Sequence, residues 1–427
     1  MMKQILQFLL IGLTVAACNP TERPAKVKVV EKEGTYRLHV NGKEFYILGA
    51  GCEFGAIEKL AEHGANSFRT WRTDNGQQTG QEVLDRAHQN GLMVMLGLDV
   101  YRERHGFDYN DEAAVKAQYE KLKLEVMKYK DHPALLAWGI GNELNLGAKN
   151  MKVWDAVNDI AKMIHEVDPN HPATTMLAGI GKNEIDYFRE HCPELDFICI
   201  QMYADIENLP KRLADAGYNG PYVVTEWGAT GHWEVPPTEW GAAVEQTSQE
   251  KQQAYLRRYE MAIAADSQKC MGSYAFLWGQ KQERTPTWYG MFLENGQATE
   301  TVDAMHKIWT GEWPENRCPT LDSLRLNGKK IYDQVYIKPG ESFQAFASAR
   351  DYENDSLFYH WELMPESTDL KWGGDHENRP ETLFRADGKA EMTFSAPTVP
   401  GAYRLFVYVN DGLDHSATAN FPFFVKE

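Results

Sequence analysis

Two apolar runs that end in a carboxyl group constrain this chain most. Residues 134–141 read ALLAWGIG, without the polar alternation of a half-exposed strand, as expected of a parallel strand covered on both faces. The run stops at Asn142 and Glu143, and a second run, residues 221–225, stops at Glu226. The two runs therefore predict two buried strands, each followed by a Glu at its C-terminal end.

A pair of such carboxyl groups suits the hydrolysis of glycosidic bonds. One group protonates the leaving oxygen, and the other attacks the sugar or activates water. The alternative is that each Glu caps a helix or sits in an ion pair. A single strand-end Glu would favour that structural role, but two of them, one preceded by Asn142, favour catalysis.

The pattern from residue 40 to residue 314 predicts a (β/α)8 TIM barrel. Short β runs alternate with amphipathic stretches such as 112–130, 153–167 and 249–265, and a last helix is expected at 301–309. The predicted strands are 45–49, 65–71, 92–100, 134–141, 172–177, 197–202, 222–225 and 271–277. A doubly wound open sheet is the alternative, but no glycine-rich phosphate loop follows the first strand. In a barrel, Glu143 and Glu226 converge on one face.

Five motifs, in order on five predicted strands, resemble the clan A retaining glycoside hydrolases. They are Asn142-Glu143, Thr225-Glu226-Trp227-Gly, Asn66-Ser-Phe-Arg69-Thr, Ile200-Gln-Met-Tyr203 and Phe276-Leu-Trp278-Gly. The resemblance implies Glu143 as acid/base and Glu226 as nucleophile. It further implies that Arg69 and Tyr203 hold the nucleophile, that Asn142 bonds a sugar hydroxyl, and that Trp278 lies under the reacting sugar.

Further sugar contacts are predicted at the aromatic residues Trp227, Trp233, Trp288 and Tyr101, which follow strands. Weaker candidates after strands are Glu53, Trp71, Asp74, Asp99, His105, His232 and Glu283, for which a solvated loop is the favoured alternative. The segment 228–246 is long for a connection in a barrel, and we expect it to form a cleft wall.

Beyond a short linker, residues 320–427 predict a small immunoglobulin-like β-sandwich with Trp361 in its core. The segment 349–361 resembles extracellular PKD-type modules. A spacer is the favoured role, with sugar binding or calcium binding through Asp351, Asp355 or Asp411 as alternatives. Because no acidic pair falls in these strands, we expect the barrel alone to carry the chemistry.

The N-terminus predicts export. Residues 1–17 read as a lipoprotein signal peptide, with Cys18 as the lipidated residue, and residues 18–39 read as a tether and an N-terminal strand. This pattern predicts lipid anchoring at the outer membrane of a Gram-negative bacterium, with the cell surface favoured over the periplasmic face.

Charge and cysteine usage limit the partners. The net charge of −17 argues against nucleic acid, and it leaves the lipid as the expected link to a membrane. No cysteine pattern predicts a zinc site, so we expect no metal and no cofactor, and we interpret the remaining cysteines as structural. A polysaccharide substrate and a monomer are expected.

The substrate is predicted by resemblance alone. A lipoprotein signal, a barrel with no sandwich before it, and one immunoglobulin-like domain after it resemble glycoside hydrolase family 158, which implies endo-cleavage of β-1,3-glucan. Family 2 shares the barrel motifs but usually has sandwich domains in front, and families 5 and 17 stay open. A β-mannanase, a β-galactanase and a non-catalytic glycan-binding lipoprotein are the alternatives.

Overall fold

A computed structural model describes residues 23–427. Its central feature is a closed barrel of eight parallel strands that follow one another in chain order. A three-stranded antiparallel sheet precedes the barrel: β1 (Val27–Lys32), β2 (Thr35–Val40) and β3 (Lys43–Phe45). The barrel strands are β4 (Ile47–Gly51), β5 (Ser67–Arg69), β6 (Met93–Leu98), β7 (Leu135–Asn142), β8 (Ala173–Ala178), β9 (Phe197–Gln201), β10 (Tyr222–Glu226) and β11 (Cys270–Ala275). The predicted TIM barrel is confirmed.

Helices follow the strands around the outside of the barrel. They are α1 (Ile57–Glu62), α2 (Gly80–Gln89), α3 (Glu112–Tyr129), α4 (Lys152–Val167), α5 (Lys182–His191), α6 (Leu209–Asp215), α7 (Ser248–Arg258) and α8 (Glu300–Thr310). The predicted helix 249–265 is too long as a single α-helix. It ends at Arg258 and continues as a π-helical turn over Tyr259–Ile263 and a 3-10 turn over Ala264–Asp266.

The N-terminal sheet closes the end of the barrel opposite the strand C-termini. Val27 and Leu38 are buried in a cluster with barrel residues such as Met95, Phe197 and Met271. The backbone N–H of Val27 also donates to the carbonyl of Asn170, in the loop before β8. The segment predicted as a tether and one strand therefore holds two strands that cover the barrel floor.

The C-terminal residues form two mostly antiparallel sheets, as the sandwich prediction requires. Their strands are β13 (Thr320–Leu326), β14 (Tyr336–Ile337), β15 (Ser342–Arg350), β16 (Phe358–Pro365), β17 (Phe384–Gly388), β18 (Glu391–Ser395), β19 (Gly401–Asn410) and β20 (His415–Val425). Trp361 is buried in the core between them, as predicted. The sequence pattern predicts strands at 342–349, 357–363, 392–395, 403–409 and 417–425, which correspond to β15, β16, β18, β19 and β20. The strands β13, β14 and β17 were not predicted, because short or edge strands lack a clear alternation.

The sandwich is joined to the barrel by more than the linker. A short strand, β12 (Ala298–Thr299), lies just before α8 and pairs in parallel with β20. Nearby, the buried carboxylate of Glu245 accepts from Lys251 at 2.5 Å and from Asn420 of β20 at 2.5 Å. Arg404 of β19 donates to the carbonyl of Ala243 at 2.7 Å. Buried polar contacts of this kind fix the position of the sandwich against the barrel.

Some predictions lie outside the described residues. These are the signal peptide 1–17 and the lipidated Cys18. Within residues 23–427, no helix is both long and apolar enough to cross a membrane. Within the same range, the five cysteines are all buried and none is in a disulfide: Cys52, Cys192, Cys199, Cys270 and Cys318.

Candidate active site

Glu226 lies at the end of β10, in the mouth that the strand C-termini form. The pairing of β10 with β9 shifts register just before it, since Val224 faces Ile200 and Glu226 faces Gln201. An irregularity of this kind turns a side chain relative to a regular strand. The carboxyl group of Glu226 is thereby brought into the mouth while the residue stays buried.

Four side chains donate hydrogen bonds to Glu226. Oε1 accepts from Arg69 Nη2 at 3.1 Å, from the Trp71 indole N–H at 3.1 Å and from Gln201 Nε2 at 3.0 Å. Oε2 accepts from the Tyr203 hydroxyl at 2.9 Å. One guanidinium and three neutral donors therefore face both oxygens of this carboxyl group, an arrangement that suits a carboxylate nucleophile.

Asn142 is tied into the same network. Its side-chain oxygen accepts from Arg69 Nη2 at 2.7 Å and from Gln201 Nε2 at 2.8 Å. The oxygen is thus used twice by protein donors, and the amide nitrogen is the end of the side chain that can donate to a ligand. The predicted contact of Asn142 with a sugar hydroxyl fits this orientation.

Glu143 follows Asn142 in an unusual backbone conformation. The β7–β8 pairing shifts register between Gly139 and Asn142, Gly141 has φ = 71°, and Glu143 itself has φ = 52°. A left-handed non-glycine residue of this kind is uncommon and is found at functional sites more often than elsewhere. The turn directs the Glu143 side chain toward the mouth and not along the strand.

The environment of Glu143 favours its protonated form. Burial raises the pKa of Glu143 to about 8, and the negative charge of Glu226 acts in the same direction. Arg104, Arg69 and Arg102 oppose this increase in pKa without cancelling it. The mouth therefore holds one carboxyl group that accepts hydrogen bonds from four side chains and one whose raised pKa favours the protonated form at neutral pH.

The structure brings two of the predicted aromatic residues to this mouth. Tyr203 bonds Glu226, and Trp233, 60% exposed, lies edge-on to Tyr203 with ring centroids 5.4 Å apart. Trp233 belongs to the long segment 228–246, as predicted for a cleft wall. Tyr101 is exposed but packs against Phe107 and Lys121, and it makes no contact with the Glu226 network.

The prediction that Trp278 lies under the reacting sugar is wrong. Its side chain is 0% exposed, its indole N–H donates to the Ala56 carbonyl at 3.0 Å, and its ring packs against Phe292 and Trp309 of α8. Phe276, two residues earlier, lies beside Trp71 and Tyr203 instead. The predicted motif, Phe276-Leu-Trp278-Gly, does follow β11. The aromatic side chain that it brings to the mouth is that of Phe276, the first residue after the strand.

Trp227 and Trp288 were also predicted to contact sugar, and both are buried elsewhere. Trp227 packs against Tyr255 of α7 and against Tyr259, between the barrel and its helices. Trp288 donates its indole N–H to the Thr230 carbonyl at 2.8 Å. Both residues are adjacent in sequence to residues of the mouth, but their side chains stabilise the surrounding core.

Sequence reasoning missed or undervalued three residues of the Glu226 network and its surroundings. Gln201 and Trp71 both donate to Glu226, and Phe276 lies between Trp71 and Tyr289. Gln201 stands in the quoted motif Ile200-Gln-Met-Tyr203, at the end of a buried strand. A polar residue there is the signal that could have identified it.

Four of the weaker polar candidates, Glu53, His105, His232 and Glu283, contact side chains that carry or can carry the opposite charge. Glu53 pairs with Arg72 at 2.6 Å, His232 with Glu283 at 3.3 Å, and His105 with Asp375 at 3.0 Å. Far from Glu226, carboxylate oxygens of Asp351, Asp355 and Asp411 lie within 4.8 Å of one another in the sandwich. These three belong to turns, where Asp351 and Asp411 accept backbone N–H groups.

The fold and the site define the class: a (β/α)8 barrel with the two carboxyl groups of a glycoside hydrolase. The chain belongs to the family described as glycosyl hydrolases family 2, TIM barrel domain, whose profile matches residues 56–300. The resemblance predicted above was to family 158, with family 2 named as sharing the barrel motifs. The barrel itself nevertheless matches the family 2 profile.

Curated relatives agree with this class. The chain is 27% identical over 150 residues to mannan endo-1,4-beta-mannosidase F of Aspergillus clavatus, covering 32% of this chain and 34% of the relative. It is 29% identical over 215 residues to the probable mannan endo-1,4-beta-mannosidase C of Aspergillus terreus, covering 32% and 52%. The chain thus spans between a third and about half of the length of these relatives.

Among solved structures, the fold resembles that of a beta-D-glucuronidase from Dictyoglomus thermophilum. The TM-score is 0.53 and the identity is 18%, with 68% of this chain and 54% of the other covered. At this identity the similarity concerns the fold.

Proposed function

We propose that this protein is a retaining endo-glycosidase that cleaves β-1,3-glucan, with Glu226 as nucleophile and Glu143 as acid/base. The observation that carries the proposal is the contrast between the two carboxyl groups. Four donors, one of them a guanidinium, surround Glu226, whereas burial raises the pKa of Glu143 to about 8. Double displacement requires one ionised and one protonated carboxyl group at the same bond.

In the first step, a carboxylate oxygen of Glu226 attacks the anomeric carbon while the bond to the leaving oxygen breaks. Glu143 gives its proton to that oxygen, so the leaving sugar departs as an alcohol. The products of this step are a glycosyl ester on Glu226 and an ionised Glu143. Asn142 lies beside Glu226 through Arg69 and Gln201, where its amide can donate to a hydroxyl of the reacting sugar.

In the second step, Glu143 removes a proton from water, the water oxygen bonds to the anomeric carbon, and the ester bond to Glu226 breaks. The charge of Glu226 contributes to the high pKa of Glu143. Ester formation removes that charge, so the pKa of Glu143 falls between the two steps. This fall suits the change of Glu143 from acid to base.

The β-1,3-glucan assignment is supported by the resemblance to family 158, which rests on a barrel followed by one immunoglobulin-like domain. A second candidate is β-1,4-mannan, because both curated relatives described above bear the name of mannan endo-1,4-beta-mannosidase. The two glycans differ in sugar and linkage, and they share the chemistry of the double displacement.

Reducing-sugar release from purified polysaccharides tests the proposal. Wild-type protein is incubated with β-1,3-glucan, β-1,4-mannan and β-galactan, and Glu226→Gln serves as the matched control. We expect release to be fastest from β-1,3-glucan and absent for Glu226→Gln. Faster release from mannan would replace the substrate assignment, and equal release by Glu226→Gln would remove Glu226 from the mechanism.

A glycan-binding lipoprotein is the competing class, and the same preparations distinguish it. A binder would migrate more slowly in a gel that contains β-1,3-glucan, and it would release no reducing ends from that glucan. The structure offers a reason to expect turnover, since the donors to Glu226 and the raised pKa of Glu143 serve no purpose in binding alone.

We propose export and lipid attachment at Cys18, on the basis of the sequence pattern. Cell fractionation of the producing bacterium tests this, with Cys18→Ala as the variant. The wild-type protein is expected in the membrane fraction and the variant in the soluble fraction. Equal distribution of the two would contradict lipid attachment.

A further inference from the structure

A loop of the sandwich reaches across to the barrel mouth. This loop, residues 366–383, connects β16 with β17 and is called here the mouth loop. It contacts two barrel loops: the one after β6, which holds Arg104, and the one after β11, which holds Lys281 and Arg284. Both follow C-terminal ends of barrel strands, on the side where Glu143 and Glu226 lie.

On the β6 side, Arg104 fastens the mouth loop. Its guanidinium donates to the carbonyls of Trp372 at 3.2 Å and Gly373 at 3.1 Å, and it pairs with Asp375 at 2.9 Å. The Arg104 side chain is only 8% exposed, so these bonds are made largely out of water. A charged group that is buried and multiply bonded in this way holds its partners in one geometry.

On the β11 side, two more cations hold the same loop. Lys281 donates to the Gly374 carbonyl at 2.7 Å, and its Nζ lies 5.6 Å from the ring centre of Phe276 at the mouth. Arg284 donates to the Lys371 carbonyl at 3.1 Å and forms an ion pair with the buried carboxylate of Glu377. The mouth loop is therefore fixed at both ends of a short span, residues 371–377.

Trp372 lies within this span, against the loop that carries Glu143. A β-carbon added at Gly147 would lie 2.8 Å from the Trp372 ring, and one added at Gly373 would lie 2.8 Å from Leu146. Leu146 is three residues after Glu143, and its N–H donates to the Glu143 carbonyl at 3.0 Å. Gly147 therefore permits the close approach of the indole to the Glu143 loop.

Trp372 nevertheless remains 58% exposed, although the backbone that carries it is fixed. Among residues 23–427, the two tryptophans with large exposed surfaces are Trp372 and Trp233. Trp233 lies against Tyr203, which bonds the nucleophile, and Trp372 lies against the loop of the acid/base. An exposed apolar side chain alone is ordinary. One exposed indole beside the partner of Glu226 and another beside the Glu143 loop together indicate a site that stacks on sugar rings.

We propose that Trp372, contributed by the sandwich, is the stacking platform for the sugar on the leaving-group side of the bond that is cleaved. This inference rests on the proposed role of Glu143. The acid/base must reach the glycosidic oxygen, so the sugar bonded through that oxygen as leaving group lies over the Glu143 loop. The sandwich is then a part of the active-site cleft and not a spacer.

The test compares Trp372→Ala, Trp372→Phe and wild type on two kinds of substrate. Oligosaccharides of three to six sugars place a sugar on the leaving-group side, whereas a glycosyl fluoride of the same sugars leaves that side empty. Trp372→Ala is expected to lower kcat/KM on the oligosaccharides about tenfold and to leave the fluoride rate unchanged. Trp372→Phe is expected to keep most of the oligosaccharide rate, because it keeps an aromatic face.

Phe346→Ala is the matched control, since Phe346 is an exposed aromatic residue of the sandwich outside the mouth loop. It should leave both rates unchanged. Equal loss by Trp372→Ala on oligosaccharide and fluoride, or no loss on either, would overturn the proposal. Where Trp372→Ala is found by its melting curve to be unfolded, Trp372→Leu replaces it, because leucine fills volume without offering a ring.

The comparison is made on laminari-oligosaccharides and manno-oligosaccharides in parallel. Preference of the wild-type protein for manno-oligosaccharides would refute the β-1,3-glucan assignment. The effect of Trp372→Ala is then measured on the manno-oligosaccharides. The substrate assignment and the role of Trp372 can therefore be refuted independently.

Discussion

Glu143 takes a left-handed conformation at the end of β7, and its carboxyl group lies where burial and the charge of Glu226 both oppose ionisation. Glu226 is the same residue type in the opposite setting, with Arg69 and three other donors around its carboxylate. The different roles proposed for the two residues follow from these surroundings, because the intrinsic acidity of the two side chains is the same.

The pH dependence of turnover tests the setting of Glu143. Because the pKa of Glu143 is raised to about 8, the residue keeps its proton through neutral pH and loses it as the pH rises through about 8. We expect kcat/KM on an oligosaccharide to fall with that alkaline limb. A glycosyl fluoride needs no proton for departure of its leaving group, so its first step should lack the limb. An alkaline limb of equal position on both substrates would contradict the acid role of Glu143.

The catalytic roles of Glu143 and Glu226 stay predictions, but prediction from sequence placed their neighbours correctly, since Arg69 and Tyr203 donate to Glu226 and Asn142 lies in the same network. These residues lie on strands or directly after them. The apolar run that precedes each residue shows that it stands at the C-terminal end of its strand. Prediction was wrong for Trp278, Trp227 and Trp288, because the direction of a side chain beyond the last strand residue depends on the turn. Periodicity carries no information on such a turn.

At the scale of elements, the β runs were predicted well. The predicted strand 134–141 is Leu135–Asn142, and the predicted strand 197–202 is Phe197–Gln201. Continuous apolar runs bounded by polar residues define buried strands strongly. Contacts between elements were not predictable in the same way. Arg104 and Asp375 are 271 residues apart in sequence, and no local pattern links them.

The junction of barrel and sandwich argues against the expectation that the barrel alone, without the sandwich, is stable and active. β12 pairs with β20, and Asn420 donates to the buried Glu245. A shortened chain of residues 19–318 loses both contacts and removes the mouth loop. It also leaves Ser248 without the backbone N–H of Thr418, which donates to its hydroxyl at 2.8 Å in the full chain. We expect it to melt at a lower temperature than the full chain and to cleave oligosaccharides more slowly.

Melting curves and initial rates on the same preparations measure this. If the shortened chain melts as the full chain does and cleaves oligosaccharides at an undiminished rate, the barrel is active alone and the sandwich contributes nothing to the cleft. A shortened chain of normal melting temperature whose rate is reduced on oligosaccharides, but not on a glycosyl fluoride, would agree with the role assigned to Trp372.

At the scale of the whole molecule, two buried acids near the junction couple stability to pH. Burial raises the pKa of Glu300 from 4.5 to about 8 and that of Asp303 from 3.8 to about 6. Glu300 bonds Ser248 through one oxygen, and Asp303 accepts the backbone N–H of Cys318 at 2.8 Å. At these two positions the folded chain therefore binds more protons than the unfolded chain between the ordinary and the raised pKa values.

The contribution of Glu300 and Asp303 to the free energy of unfolding is expected to decrease as the pH rises from about 4.5 to about 8, because both pKa values are raised in the folded state. Glu300→Gln, which imitates the protonated acid, should reduce this decrease. We expect wild type and variant to melt alike at pH 4.5, and the variant to melt a few degrees higher at pH 8, at roughly 2–4 °C per kcal/mol. Parallel curves for the two proteins would contradict the high pKa of Glu300.

The central claim is that Glu226 forms a covalent bond to the sugar while Glu143 supplies and removes protons. Glu143→Gln keeps the nucleophile but lacks the base for the second step, so an activated aryl glycoside should load the enzyme faster than water unloads it. The measurement is the mass of the peptides after acid quenching and digestion. We predict a glycosyl mass on the peptide that contains Glu226. A label on another carboxyl group, or steady release of an inverted product with no labelled peptide, would contradict the account.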